Sequence, residues 1–323
     1  MRAVLAPDDP RNPVPRVGDL PDPVPGPGEV LVAIEAAGIN HADLLQIRGQ
    51  YPPPPGESTV PGLEAAGRVV GGALPERWPP GTRVMALLGG GGHGTLAAIP
   101  TGQLLPVPEN LSIEEAGAVP EAGLTAWTNL VAEGGLQAGE TVLVTGATGG
   151  MGSFAAQLAR ELGARVLAVG RDPGRLAQLR ALGIDETLTA GPDLARQVRA
   201  ATGGRGADLV FDLVGGPSIN AHLASLREGG RLVLIGLLGG RKEEVDLGAV
   251  LSRRLRIVGS VLRPRSREEK TRLVEGFASF ALPRLADGRL RPVVEKVLPF
   301  ERAAEGYKAL ESGGTFGKIV LKM

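Results

Sequence analysis

Hydrophobic and polar positions change rhythm twice along the chain. Over roughly the first 120 residues, short alternating runs dominate. The run EVLVAIE at 29–35 alternates and is β-branched, and PGPG at 25–28 ahead of it reads as a turn, so a strand is predicted there. Residues 40–48 predict a short helix with Asn40 as its N-cap. A proline-rich loop follows at 51–55, and further strands are predicted over 65–70 and 82–87. Short strands between Gly/Pro turns predict a small β-barrel or sandwich.

Near residue 112 the pattern shifts. Ser112 and Glu115 stand three apart, the spacing of a capping box, and a helical run covers 125–132. Apolar strands at 141–145, 165–169, 207–213 and 231–237 then alternate with helical runs that include 152–162 and 175–182. Continuously apolar strands separated by helices predict a parallel sheet with right-handed crossovers. The last sixty residues change again, to a helix at 266–285 and strands at 293–298 and 317–321 around a helix at 301–311. Two strands cannot close a core of their own, so this tail is expected to pair with the first third.

Length and composition narrow the possibilities. A chain of 323 residues is long enough for two domains. Lys plus Arg equals Asp plus Glu at 35 each, and aromatics are 3%, so neither a phosphate-backbone field nor a base-stacking surface is expected. There is no cysteine, which removes disulfides, thiol nucleophiles and Cys-ligated metals. The three histidines, His41, His93 and His222, lack metal-site spacing. No apolar run is long enough to span a bilayer. The N-terminal apolar stretch is too short for a signal peptide and soon meets Asp8 and Asp9, so a cytoplasmic enzyme without nucleic-acid or membrane partners is expected.

The most informative segment is TVLVTGATGGMGSFAAQ at 141–157: apolar strand, glycine turn, helix start. A pyrophosphate needs close backbone approach and free N–H groups at a helix N-terminus, and a glycine turn between a strand and a helix start can provide both. The spacing G-x-x-G-G-x-G departs from the commonest fingerprint, and a glycine-rich helix start in an ordinary α/β domain is the alternative. The next strand ends at Gly170, followed by Arg171, with Arg175 one turn later. Two guanidinium groups there suit a 2′-phosphate, which favours NADPH over NADH. Asp172 could instead serve a ribose, and both arginines could be solvated surface residues.

At this point the chain resembles the zinc-independent quinone oxidoreductases of the medium-chain dehydrogenase/reductase superfamily. The likeness is to the zeta-crystallin-like branch, and within it to the stress-inducible mammalian subgroup. It is carried by NHADLLQIRGQYPPPPG at 40–56, GLEAAG at 62–67, VPEAGLTA at 119–126, IGLLGG at 235–240, SVLRPR at 260–265 and GKIVL at 317–321. The resemblance implies an α/β protein with a Rossmann doubly wound parallel sheet and a GroES-like β-barrel catalytic domain. The catalytic domain would take residues 1–120, completed by 263–323, and the dinucleotide-binding domain 121–262, with the active site in the cleft.

Zinc-dependent relatives carry a ligand Cys where this chain has Asn40, and a ligand His where it has Leu63. Neither suits zinc, so no metal is expected. Without a Lewis acid, alcohol oxidation lacks a stabiliser for its alkoxide, whereas an electrophilic quinone or enone needs less help. The resemblance implies Tyr51 as the donor to developing oxygen charge, against a tyrosine packed on the prolines that follow. It also implies Asn40 as a catalytic-site residue holding nicotinamide or ribose, besides its capping role. Thr125 would contact the cofactor amide or be a plain helix residue. Gly149, Gly150, Met151 and Gly152 would line the pyrophosphate, Val214 and Gly215 would touch the adenosine side, and Gly236 and Leu237 would sit near the nicotinamide. Arg263 and Lys318 lie in motifs near the cofactor, unless they are simply solvated. Glu64 is expected to hold backbone structure, and His93 to sit in a mobile loop, either flanking the substrate entrance or on bare surface.

Thr187 to Ala190 supplies no tyrosine for the 2′-phosphate, the stretch 171–175 is one residue longer than in relatives, and Leu45 replaces an aromatic. The first two count against NADPH, and the third separates substrate identity from the family's. The functions carried forward are an NADPH-dependent quinone reductase, a reductase of activated alkenes, and a non-enzymatic cofactor-binding protein. A strand at 255–262 is expected to close the parallel sheet, and the resemblance implies that such an edge strand pairs across a dimer axis, so a homodimer is expected.

Overall fold

Val30, Val32, Ile34 and Ala36 alternate with outward residues along Glu29–Ile39, and this one strand organises the β-rich part of the molecule. The computed structural model describes residues 1–7, 14–73 and 75–323, so Asp8 and Asp9 lie outside the described residues. It divides into two compact units. The first is Met1–Leu124 with Arg263–Gly288 and Pro292–Met323; the second is Thr125–Leu262 with Arg289–Arg291.

In the first unit a sheet runs in the order Val294–Pro299, Lys318–Lys322, Glu29–Ile39, Glu64–Gly72, Arg83–Leu87, Leu104–Pro106, with Leu96–Pro100 also paired to Glu29–Ile39. The C-terminal strand lies antiparallel to Glu29–Ile39, with Leu321 opposite Ala37. A separate hairpin pairs Arg2–Leu5 with Arg16–Asp19. The inward faces of Glu29–Ile39, Glu64–Gly72 and Leu96–Pro100 form one apolar core with Trp78, Val84 and Leu104. A second cluster joins Leu44 and Ile47 to Phe300, Tyr307 and Leu321.

The second unit is a six-stranded sheet, parallel throughout, in the order Thr187–Thr189, Arg165–Gly170, Thr141–Val144, Ala207–Asp212, Leu226–Leu234, Arg256–Gly259. In sequence numbering this is 3-2-1-4-5-6, the doubly wound dinucleotide-binding order. Its direction reverses between Thr141–Val144 and Ala207–Asp212, where such folds bind ligands.

Several elements differ from expectation. The helix expected over 125–132 starts earlier, at Pro120–Trp127, and runs on as a π-helical turn, Thr128–Ala132. Proline is well placed at a helix start, which moves the boundary back. The strand expected over 231–237 is Leu226–Leu234, so Gly236 and Leu237 lie beyond its end. The helices Leu194–Ala201, Ile219–Ser225 and Leu247–Ser252 are additional. The largest correction concerns the glycine run before His93. It is a buried crossing, not a mobile surface loop, and His93 itself is fully buried. A Cβ on Gly90 would sit 2.4 Å from the Ser58 carbonyl oxygen, and one on Gly92 2.8 Å from that of Glu64. Only glycine lets the two backbones pass this closely.

Candidate functional site

In the parallel-sheet unit, the strand Thr141–Val144 leads into a turn that Gly146 makes with φ of +61°. Gly149 is the extended N-cap of the helix Gly150–Glu161. A Cβ on Gly152 would stand 2.2 Å from the Gly146 carbonyl oxygen, so helix and turn meet only through glycine. The amides of Gly150, Met151 and Gly152 open the helix, where intrahelical acceptors are lacking. They form a backbone cradle fit for a pyrophosphate.

Arg171 is exposed and Arg175 half-buried, and neither forms an ion pair among the described residues. Asp172 is used locally: its Oδ1 accepts the Arg175 backbone N–H at 3.0 Å and caps the helix Pro173–Gln178. Of these three side chains, the two arginines are the ones left for an anion.

Asp212, at the end of Ala207–Asp212, went unnoticed in the sequence. Its Oδ1 accepts the Val214 and Gly215 amides at 2.8 and 3.1 Å, and its Oδ2 meets His222 Nδ1 at 2.9 Å. Burial pushes its carboxyl up, but His222 and the two amides outweigh this and hold it below the usual carboxylate range. The amides of Val214 and Gly215 are thus committed to Asp212, leaving Val214's half-exposed side chain for a ligand. Gly236 approaches Leu213, whose carbonyl oxygen a Cβ would meet at 2.6 Å, and Leu237 is 42% exposed. Thr125 is buried, and its carbonyl accepts from Asn129 Nδ2 at 2.8 Å. In the adjoining π-turn, Thr128 Oγ1 and Asn129 Oδ1 are buried with no partner among the described residues.

The β-rich unit gathers Asn40, Glu64 and Lys318, far apart in sequence. Lys318 Nζ donates to Asn40 Oδ1 at 2.6 Å and pairs with Glu64 Oε1. Asn40 Nδ2 donates to Glu64 Oε1 at 3.0 Å, and Glu64 Oε2 accepts the Glu121 N–H at 2.9 Å. Ammonium only donates and carboxylate only accepts, so the Asn40 amide can face just one way. Its Nδ2 is spent, and Oδ1 keeps a lone pair for a ligand's hydroxyl or amide hydrogen. Lys318 and Glu64 are buried, which removes the solvated reading of Lys318.

Zinc does not fit here. Leu63 is apolar and buried, and the oxygens of Asn40 and Glu64 already hold an ammonium that a dication would have to displace. Among the described residues no cluster of three or more His, Cys, Asp or Glu could hold a metal.

Tyr51 is half-buried, with the Arg263 guanidinium carbon 5.0 Å from its ring centroid. Burial raises its phenol above the ordinary tyrosine value; Glu121 adds to this and Arg263 opposes it. Arg263 is itself buried, so its solvated reading also falls. His93 supports the unit from within: Nε2 donates to the Gly38 carbonyl at 3.1 Å, and Nδ1 meets the Tyr307 hydroxyl at 2.7 Å. Asp43, another residue missed in the sequence, accepts the Asn40 N–H at 2.7 Å and the Gly62 N–H at 2.9 Å. Its three-residue spacing from Asn40 was the available signal.

Residues 26–109 match the alcohol dehydrogenase GroES-like domain, and residues 150–278 match the zinc-binding dehydrogenase family. The quinone oxidoreductase of Thermus thermophilus, solved also with NADPH, is 37% identical with a TM-score of 0.84, covering 100% of both chains. The JamJ enoyl reductase, solved in its apo form, is 28% identical with a TM-score of 0.83, over 96% of this chain and 95% of that one. The polyketide synthase GfsB of Streptomyces halstedii is 34% identical over 298 residues, 91% of this chain but 5% of the synthase. The chain spans between 5% and 14% of the polyketide synthases it matches. The chain belongs to the medium-chain dehydrogenase/reductase superfamily and is an oxidoreductase.

Proposed function

We propose, with that membership as premise, that the chain is a zinc-independent NADPH-dependent reductase that passes hydride from the nicotinamide to a quinone. The observation that carries this reading is the Lys318 ammonium bound to both Asn40 and Glu64. It fills a site that would otherwise offer oxygen ligands to a metal, which suits an acceptor electrophilic enough to need no Lewis acid. Bound NADPH would supply the hydride. The amides of Gly150–Gly152 would hold its pyrophosphate, and Arg171 and Arg175 its 2′-phosphate. Asn40 Oδ1 would accept from a ribose hydroxyl or the carboxamide. The Tyr51 hydroxyl would donate to oxygen charge as it develops on the acceptor. On these assignments the chain falls in the quinone-reductase branch.

Reduction of an enone is the second reading, favoured by the likeness to an enoyl reductase. Both readings use the same hydride donor and the same tyrosine.

A homodimer belongs to the same proposal. Arg256–Gly259 pairs with Leu226–Leu234 on one side only, at the edge of the sheet. Ile257, Val261, Leu247 and Leu251 are exposed in the same stretch of chain. Such an edge would be covered by pairing with a second copy.

The test is nucleotide fluorescence titration with NADPH and NADH separately, followed by addition of 1,2- and 1,4-quinones and of simple enones. Tight NADPH binding with quinone-dependent oxidation is expected, and Tyr51→Phe should cut turnover about tenfold or more with nucleotide affinity kept. Oxidation by enones alone would transfer the assignment to the second reading. Failure to bind either nucleotide would sink both.

A further inference from the structure

Arg263 has no role in the reading above, yet it is 5% exposed and held on three sides. Its Nε donates to the Gly89 carbonyl at 2.7 Å, one Nη to the Tyr51 carbonyl at 3.1 Å, and the other to Gln46 Oε1 at 2.7 Å. Gln46 is fixed in turn, its Nε2 donating to the Thr59 carbonyl at 2.9 Å. All three acceptors are neutral, and no carboxylate lies within ion-pair distance of Arg263 among the described residues. Burying a guanidinium costs free energy, and a carboxylate would be its best compensation. Stability alone is therefore poorly served. What the arrangement does achieve is local: the cation stacks on the Tyr51 ring and binds the Tyr51 backbone together.

We propose that Arg263 is the positioning residue for Tyr51, clamping its ring face and its carbonyl so that the hydroxyl is presented in one orientation. The buried cation also stabilises the tyrosinate left behind after proton donation. The inference rests on the reading of Tyr51 as donor. In that step bound NADPH would supply the hydride: its C4–H bond would break as the hydride bonds to the acceptor, the dihydronicotinamide would be oxidised by two electrons, and the acceptor, reduced by two, would be left with an oxyanion. The phenolic O–H breaks, the proton bonds to the acceptor oxygen, and tyrosinate recovers a proton from water. The clamp reassigns Arg263 from the cofactor to the tyrosine. Direction of ionisation agrees: burial, and after it Glu121, hold the phenol up, and Arg263 draws it down. The other charges acting on Arg263 are Asp43, Glu57 and Glu121, while Lys270 shares the field of Glu57, Glu121 and Arg263.

The chain has two tyrosines, which makes the clamp measurable without any turnover. Tyr307 is completely buried and its phenol lies far above the ordinary range, so ultraviolet absorbance of tyrosinate reads Tyr51. The experiment titrates the full chain and its Arg263→Ala and Arg263→Lys variants, with Tyr51→Phe as the blank. In parallel, kcat and the nucleotide KM are measured for each. In Arg263→Ala the Tyr51 transition should move up by about one pH unit. Its kcat should fall on the order of tenfold with nucleotide KM unchanged. Arg263→Lys keeps the charge without the planar fork, so it should restore part of the titration shift but not kcat. A parental titration and parental kcat in Arg263→Ala would overturn the clamp. Should that variant fail to fold, parental kcat in Arg263→Lys does so instead. Full turnover in Tyr51→Phe would remove Tyr51 as donor, while a shifted Tyr51 titration in Arg263→Ala would still establish the clamp.

Discussion

In the parallel-sheet unit the groups that can meet a ligand are backbone amides and two guanidinium groups without ion partners among the described residues. In the β-rich unit the polar side chains around Asn40 are already bound to one another. The glycine turn works by removing side chains, as the 2.2 Å clearance at Gly152 shows. The Asn40 cluster works by supplying them, from a helix cap, the strand Glu64–Gly72 and the last strand. The first arrangement can accept an anion without rearranging. The second orients one amide by fixing its donors and acceptors in advance. Change in the first should therefore show in ligand affinity, and change in the second in stability and turnover.

The strongest way to break this contrast is Lys318→Met. It leaves the Glu64 carboxylate buried without its cation and should cost about 3–5 kcal/mol in denaturant unfolding. Adding Glu64→Gln should recover most of that loss. A single variant as stable as the parent would show that the pair is not what holds Asn40.

Next comes Gly152→Ala, which forces a methyl against the Gly146 carbonyl. A loss of about 1–3 kcal/mol is expected from the clash. Nucleotide affinity should fall on the order of tenfold or more by fluorescence titration. Unchanged affinity would mean the turn is not where the nucleotide binds.

Smaller, and sharper, is Arg171→Ala. Removing one charge-assisted contact should weaken NADPH about tenfold and leave NADH as it was. Equal weakening of both would undo the assignment to the 2′-phosphate.

The smallest effect concerns Asp212. Its folded-state carboxyl is held below the unfolded value, so its contribution to stability is present above the unfolded pKa near 4 and is lost as pH falls through the folded one. Unfolding free energy measured in this acid range should therefore fall with pH more steeply in the parent than in Asp212→Asn. Parallel curves would assign the acid sensitivity elsewhere.

Some of the site was readable because the information is local. Strand, glycines and helix start lie within 141–157, and the N-caps Asn40 and Ser112 each declare themselves within four residues. The Asp212–His222 pair and the role of Asp43 were not readable in that way. A buried aspartate is recognisable only once the amides it accepts from are known, and neither Gly62 nor His222 is a helix-turn neighbour of its partner. His93 was misjudged for the same reason. A run of glycines reads as a mobile loop until the second backbone that presses against it is seen.

What the sequence determined by itself is the change from short alternating strands to alternating strand and helix, the glycine turn between a strand and a helix start, and the absence of cysteine. These follow from periodicity, from φ and Cβ limits at glycine, and from the chemistry of single side chains. What only the tertiary structure decided is which charges are satisfied. Lys318 reaches Asn40 across 278 positions and Arg263 reaches Tyr51 across 212, and the antiparallel pairing of the last strand with Glu29–Ile39 brings the first of these together. An ammonium or guanidinium reads identically in a sequence whether solvated or buried, because its energy depends on partners that the chain supplies only by folding.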